Sequence, residues 1–320
     1  MIRCNSMTRK GMFSKFARRF YRSYRNGRFR VGHSLIKRFF QTWLRQEQEV
    51  CLRSGLKLRL DLSKPNQAGI FWYDGDADVP LDWAIRELVP PGGLFIDCGA
   101  NCGLMGLLAC QYRSARVILI EPHPRLAKGI EANIRLNHFE KRAELIEAAI
   151  SNTSGHVTFY ENSTGDDGTH SIHQDWGEGE KRVIANVRCQ TLKQIIEQRQ
   201  LSHIDFLKID TEGNDLAVLQ GLEDYLRPAF TKVIYVEMAR DHESICKLMT
   251  SRGYAGFSTP AARGRELVRL QRIYYRGGRV SFFGPLGAHA GMAQNALWCG
   301  MESPVTAFLQ ELSPTAQANS

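Results

Sequence analysis

The sequence predicts an α/β fold: a mostly parallel β-sheet with helices on both faces, preceded by a basic N-terminal arm. Three observations lead there. From about Leu94 onward, short apolar runs alternate with stretches of helical periodicity, the pattern that places parallel strands in one sheet and crossover helices on its faces. The apolar fraction, 43% of 320 residues, is enough for a packed core. Charge is segregated: residues 1–59 hold 16 Lys and Arg against two acids, Glu47 and Glu49, whereas the other 261 residues hold 26 basic and 31 acidic ones. The division expected is therefore an arm over 1–59, an α/β domain over 60–302 and a tail over 303–320 with few order signals.

Residues 1–46 contain no Asp or Glu, and Phe13, Phe16 and Phe20 follow helical spacing among Arg and Lys. A basic, aromatic-rich segment of this kind packs on its own domain, lies on an anionic membrane surface, contacts nucleic acid or serves as a transit segment. No apolar run approaches the ~18 residues that span a bilayer, and the N-terminus lacks the apolar centre of a secretory signal. The expected location is cytoplasmic, with residues 1–46 touching anionic membrane at the periphery. None of the eight cysteines forms a C-x-x-C pair, which argues against a zinc ribbon, and the thiols are read as reduced.

Leu94–Cys98 reads as a strand, Leu104–Tyr112 as a helix, Arg116–Ile120 as a strand and Arg125–Asn137 as a helix. Glu144–Ile150, His156–Tyr160 and Val183–Cys189 read as strands, and Leu192–Gln200 as a helix. Ile204–Ile209 is the next strand, with a helix over Leu216–Leu226; Val233–Val236 follows, then a helix over His242–Arg252. Val280–Phe283 and Ala296–Cys299 could add antiparallel strands at the edge.

In an open α/β sheet, ligands sit at the carboxyl ends of the strands. The strand ending Phe95-Ile96-Asp97 runs into Cys98-Gly99-Ala100-Asn101-Cys102-Gly103, small residues that let a ligand approach the backbone. A dinucleotide fingerprint starting at Gly99 needs Gly at 101 and 104, where Asn101 and Leu104 stand. Asp97 would also repel a pyrophosphate. The same carboxylate suits S-adenosylmethionine, which carries an ammonium and a sulfonium but no phosphate. The next strand ends Ile120-Glu121-Pro122, where a carboxylate can accept hydrogen bonds from ribose hydroxyls. Ala148 and Ala149 leave room for a flat adenine ring. Cofactor contacts are thus expected from Asp97, Gly99, Ala100, Asn101, Gly103, Glu121, Pro122 and Ala149.

Several segments resemble the FkbM-type methyltransferase family: residues 95–103, Ile-Glu-Pro-His-Pro at 120–124, residues 148–155, Gln-Thr-Leu-Lys-Gln-Ile-Ile at 190–196, Leu-Lys-Ile-Asp-Thr-Glu-Gly-Asn-Asp at 207–215 and Ile-Tyr-Val-Glu at 234–237. The resemblance covers roughly residues 66–257. It implies a Rossmann-like class I methyltransferase fold with a mostly parallel seven-stranded sheet, S-adenosylmethionine as methyl donor, and O-methylation of sugars or secondary-metabolite hydroxyls. Departures are His123, where the family usually has Asn, Asp78, where Glu is usual, and Asn214, where Ala is common.

Methyl transfer to a hydroxyl is an in-line displacement aided by a general base. Lys208, Asp210 and Glu212 follow the strand expected to end beside the methyl group, and alternation in a strand would put them on one face. Asp210 is the residue expected nearest the reaction, as base or orienter of the acceptor; Glu212 could open the next turn, and Lys208 could be an ion-pair partner. His170 or His173, in the polar loop 162–176, is an alternative base, and no metal ligands are assigned. The position after this strand lacks the Asn/Asp-Pro-Pro-aromatic run of amino-methylating nucleic-acid enzymes, and no Pro-Cys pair occurs. A nucleic-acid base is disfavoured; the acceptor expected is a small molecule or glycan. A ribose 2'-hydroxyl of RNA, or a non-catalytic module retaining the cofactor fold, are the alternative readings. Oligomeric state is not legible.

Overall fold

A computed structural model of the chain describes residues 47–73, 78–162, 170–176, 180–258, 274, 283–286 and 295–311. The arm 1–46, most of the strand expected at Val280–Phe283, and residues 312–320 lie outside the described residues.

The chain opens on a hairpin, β1 (Glu47–Cys51) antiparallel to β2 (Lys57–Asp61), then α1 (Pro65–Tyr73) and α2 (Val79–Leu88). The main body follows as β3 (Leu94–Cys98), α3 (Leu104–Arg113), β4 (Arg116–Ile120), α4 (Pro124–Leu136), β5 (Ala143–Ile146), β6 (Ala149–Ile150), β7 (Gly155–Asn162), β8 (Lys181–Gln190), α5 (Leu192–Gln198), β9 (Ile204–Ile209), α6 (Asp215–Gln220), β10 (Thr231–Glu237), α7 (His242–Ser251), β11 (Tyr254–Ser258), β12 (Gly284–Pro285), β13 (Asn295–Gly300) and α8 (Pro304–Glu311).

One sheet runs in the order β12-β11-β13-β10-β9-β3-β4-β5. The stretch β10-β9-β3-β4-β5 is parallel, and β13 is inserted antiparallel between β10 and β11. This is the Rossmann-like, mostly parallel arrangement the sequence predicted, with the two-residue β12 added at the edge. The strands β3 and β9 are buried along their whole length, as expected for parallel strands covered on both faces. Alternation splits their side chains between two cores. Phe95, Phe206, Val233 and Leu297 face α2, α3 and the hairpin; Ile96, Leu207, Ile234 and Trp298 face α5, α6 and α7.

Four differences from the sequence reading have local causes. Residues 47–59, grouped with the arm, belong to the body: Leu56, Leu58 and Leu60 are fully buried. The free edge of β2 is closed by side chains, Arg59 N donating to Asn133 Oδ1 (2.7 Å) and Lys57 N to Asn137 Oδ1 (2.8 Å). The expected strand 144–150 breaks after Ile146, and β6 joins β8 and β7 in a separate three-stranded sheet. The helix expected over 216–226 stops at Gln220, and Gly221 lies against the Ser151 carbonyl, where a Cβ would come within 2.4 Å of that oxygen. The tail contributes α8, whose Thr306 and Leu309 are buried.

Candidate active site

The carboxyl ends of β3, β4 and β9, together with the β6–β7–β8 sheet, enclose a cleft of about 320 Å3. Its floor is the turn after β3. Gly99 takes φ +75°, and a Cβ there would fall 1.9 Å from the Asp210 carbonyl oxygen, so only glycine lets the β3 and β9 turns cross. The Gly99 and Ala100 N–H groups donate to Ile120 O, both at 3.0 Å. Gly103, at φ +82°, starts α3; it shapes the turn and is not among the cleft-lining residues.

Register explains the charged residues beneath that floor. Asp97 pairs with Lys208, and Lys208 with Tyr235, on adjacent parallel strands, so the three side chains stand in a row. Lys208 Nζ lies 3.2 Å from Asp97 Oδ1, 3.3 Å from Asp210 Oδ2, and donates to Gly99 O at 2.8 Å. The two carboxylates hold its ammonium strongly protonated against the opposing effect of burial. Lys208 therefore fastens the β3 turn to the β9 turn. Asp97 is fully buried, accepts from Gly106 N at 3.0 Å, and is not on the cleft wall. It braces Lys208 and α3 from behind. A carboxylate the sequence reading noted only as a departure, Asp78, does line the cleft. It caps α2 through Leu81 N (3.0 Å) and accepts from Tyr235 Oη at 2.6 Å. Burial pushes its pKa up, and the hydrogen bonds partly offset that.

Glu121 reaches the cleft from the end of β4. Its Oε2 accepts from Asn101 N (2.8 Å) and its Oε1 from His123 N (2.9 Å), which leaves each oxygen a further lone pair. Burial pushes its pKa up to about 7. Ala100, Asn101, Pro122 and Ala149 line the cleft as expected, with Ala148 and Ile150 beside them.

Alternation fails after β9 because the strand ends at Ile209. Glu212 has φ +55° and turns to accept from Trp176 Nε1 at 2.7 Å, while its carbonyl accepts from Ser171 Oγ at 2.7 Å. The Trp176 ring packs so closely on Gly213 that a Cβ there would sit 2.5 Å from it. Residues 170–176 thus form a roof pinned to the β9 turn, and Glu212 is its anchor. Burial pushes Glu212 up to about 8. Asp210 keeps 42% of its side chain exposed in the cleft.

His170 lines the cleft too, but its ring sits against His123, at 4.6 Å between centroids, and near Phe159. Burial first, then the neighbouring His123 and cations, push its pKa down to about 3. So weak a base is ill matched to neutral pH. His173 contributes a backbone N–H to Ser171 Oγ. Sequence reasoning missed Glu237, at the end of β10: it brings a carboxylate oxygen within 4.8 Å of those of Asp210 and Glu212. That spacing could hold a hard divalent cation. Burial, and then Asp210, push Glu237 up to about 9. Its signal in the sequence was the same as that of Glu121, an acid closing a buried strand.

A mostly parallel sheet with β13 reversed beside β10, a glycine turn crossing the β9 turn, and carboxylates at strand ends define a class I methyltransferase. The methyltransferase FkbM domain matches residues 97–255. Three relatives are similar to parts of the chain, two of them named as methyltransferases. The AMB antimetabolite synthetase AmbE of Pseudomonas aeruginosa is 27% identical over 170 residues, covering 43% of this chain and 8% of that protein. The methyltransferase sdnD of Sordaria araneosa is 23% identical, covering 42% and 62%. The hexuronic acid methyltransferase AglP of Haloferax volcanii is 22% identical, covering 54% and 67%. The chain therefore spans a small part of the first relative and about two thirds of the other two. It carries a methyltransferase FkbM domain at residues 97–255. Among the described residues no helix is long and apolar enough to cross a membrane.

Proposed function

We propose that the cleft transfers the S-adenosylmethionine methyl group to a hydroxyl of a carbohydrate, glycolipid or secondary metabolite. The observation that carries this reading is Asp210, an exposed carboxylate set beside the glycine turn while Asp97, Glu121 and Glu212 are engaged by backbone or side-chain donors. In this reading the free lone pairs of Glu121 accept from the ribose hydroxyls, and Ala148–Ile150 face the adenine. Asp78 meets the ammonium. The sulfonium is already a good leaving group, so the protein aligns the partners and excludes water. Asp210, oriented by Lys208, receives the acceptor hydroxyl proton as the oxygen attacks the methyl carbon. The names of AglP and AmbE support a sugar acid or a secondary metabolite as acceptor class.

The test is a screen of cell extract fractions with labelled methyl donor, followed by mass analysis. A gain of one methyl on an alkali-stable ether oxygen is expected. Transfer to nitrogen, carbon or RNA would overturn the reading. For the arm, we propose peripheral contact with anionic membrane, supported by the charge of residues 1–46. The full chain should float with anionic liposomes at low salt and a chain lacking 1–46 should not; equal flotation would refute it.

A further inference from the structure

We propose that His123, Glu161 and His170 form a site for a first-row divalent metal ion such as Zn2+, separate from the carboxylates of the β9 turn. Each residue offers one ligand atom, and the three atoms lie within 4.8 Å of one another. The site is internal: His123 is 7% and His170 6% exposed. Both ring nitrogens of His170 are buried and lack a hydrogen-bond partner among the described residues, an unfavourable state unless something fills it. His170 Nε2 stands 3.6 Å from Glu161 Oε1, too far for a hydrogen bond. Two ligands about 2.1 Å from a tetrahedral ion stand roughly 3.4 Å apart, so the gap is close to that of a shared ion.

Two imidazoles and a carboxylate are a donor set that suits Zn2+ and its neighbours better than Mg2+ or Ca2+. The three residues come from different places: the N-cap of α4, the strand β7 and the roof over the cleft. An ion there would tie the roof to α4, one residue from the Pro122 wall. Two features limit its affinity. His123 Nδ1 accepts from Arg125 N at 3.1 Å, so the ring proton resides on Nε2. Binding at Nε2 moves that proton to Nδ1 and gives up the cap. Lys64, Arg125 and Lys181 also oppose positive charge near His170. Micromolar affinity is expected, well short of a closed structural zinc site.

Untagged full-length chain, stripped with chelator and dialysed, is titrated calorimetrically with Zn2+, and Co2+ is added separately as an absorbing probe. One ion per chain and a visible Co2+ band from nitrogen ligation are expected. Both should weaken at least tenfold in His170→Ala and in His123→Asn. Asparagine is a good N-cap, so His123→Asn removes the imidazole while keeping α4 folded; melting curves of the stripped variants check this. Asp210→Asn should bind Zn2+ like the unaltered chain. Absence of binding, binding indifferent to both histidines, or binding lost with Asp210 would each overturn the proposal.

Discussion

Asp97 and Asp210 are both acids at strand ends, and the structure gives them opposite work. Asp97 is buried between Lys208 and Gly106 N, so removing it strands a buried ammonium. Asp97→Ala should lower unfolding stability by about 3 kcal/mol, read from urea denaturation, and any loss of cofactor binding should track that loss of folding. Asp210 stands in the cleft. Asp210→Asn, which takes one of two anions from Lys208, should lower stability by less than Asp97→Ala does and leave the cofactor dissociation constant within about threefold, while kcat falls at least ~100-fold. Equal damage to kcat and stability would place Asp210 in the scaffold instead. The distinction was partly legible: alternation puts Asp97 on the face of Phe95, which is core. The sequence placed the end of this strand at Ile209, but the alternation was carried past it, so Glu212 was placed on the face of Asp210, whereas it turns to hold Trp176.

At the scale of elements, buried parallel strands announce themselves as short runs of Val, Ile, Leu and Phe, which is why β3, β4, β9 and β10 were read nearly residue by residue. The hairpin β1–β2 was hidden by its basic composition: Arg53, Lys57 and Arg59 alternate with Leu56, Leu58 and Leu60, and the net charge masked the alternation. α8 was missed because eight residues with mixed polarity carry little periodic signal. The roof had no regular pattern to read, since indole and hydroxyl bonds to the β9 turn, not backbone ladders, hold most of it. Trp176→Phe keeps a ring over Gly213 but removes the N–H that Glu212 accepts. Amide exchange across residues 170–176 should then quicken about tenfold, matching a lost hydrogen bond to a carboxylate of about 1.5 kcal/mol. The amides of β3 and β9 should not change. Unchanged exchange in the roof would show that the indole bond does not anchor it.

Across the whole molecule, acids concentrated at one edge of the sheet set the response to pH. Burial raises Glu121 to about 7, Glu212 to about 8 and Glu237 to about 9. A carboxyl raised in the folded state holds its proton longer than in the unfolded chain, so its contribution is complete below the ordinary carboxyl range and lost as pH rises through the folded value. His123 and His170 act in the opposite sense, but only below their ordinary value near 6.5. The melting temperature of the ligand-free chain should therefore fall between pH 7 and pH 8.5, and Glu237→Gln should flatten the slope. A melting temperature that climbs over that interval would mean these acids are ionised in the fold and paired.

The central claim is that this edge of the sheet holds S-adenosylmethionine through Glu121. Calorimetric titration of the folded chain with S-adenosylhomocysteine tests it most directly, run beside Glu121→Gln with an unchanged far-ultraviolet spectrum. One site of micromolar affinity, weakened at least tenfold by the substitution, is the predicted result. A folded chain that takes up no S-adenosylhomocysteine, or binds it equally well without the Glu121 carboxylate, would contradict the account.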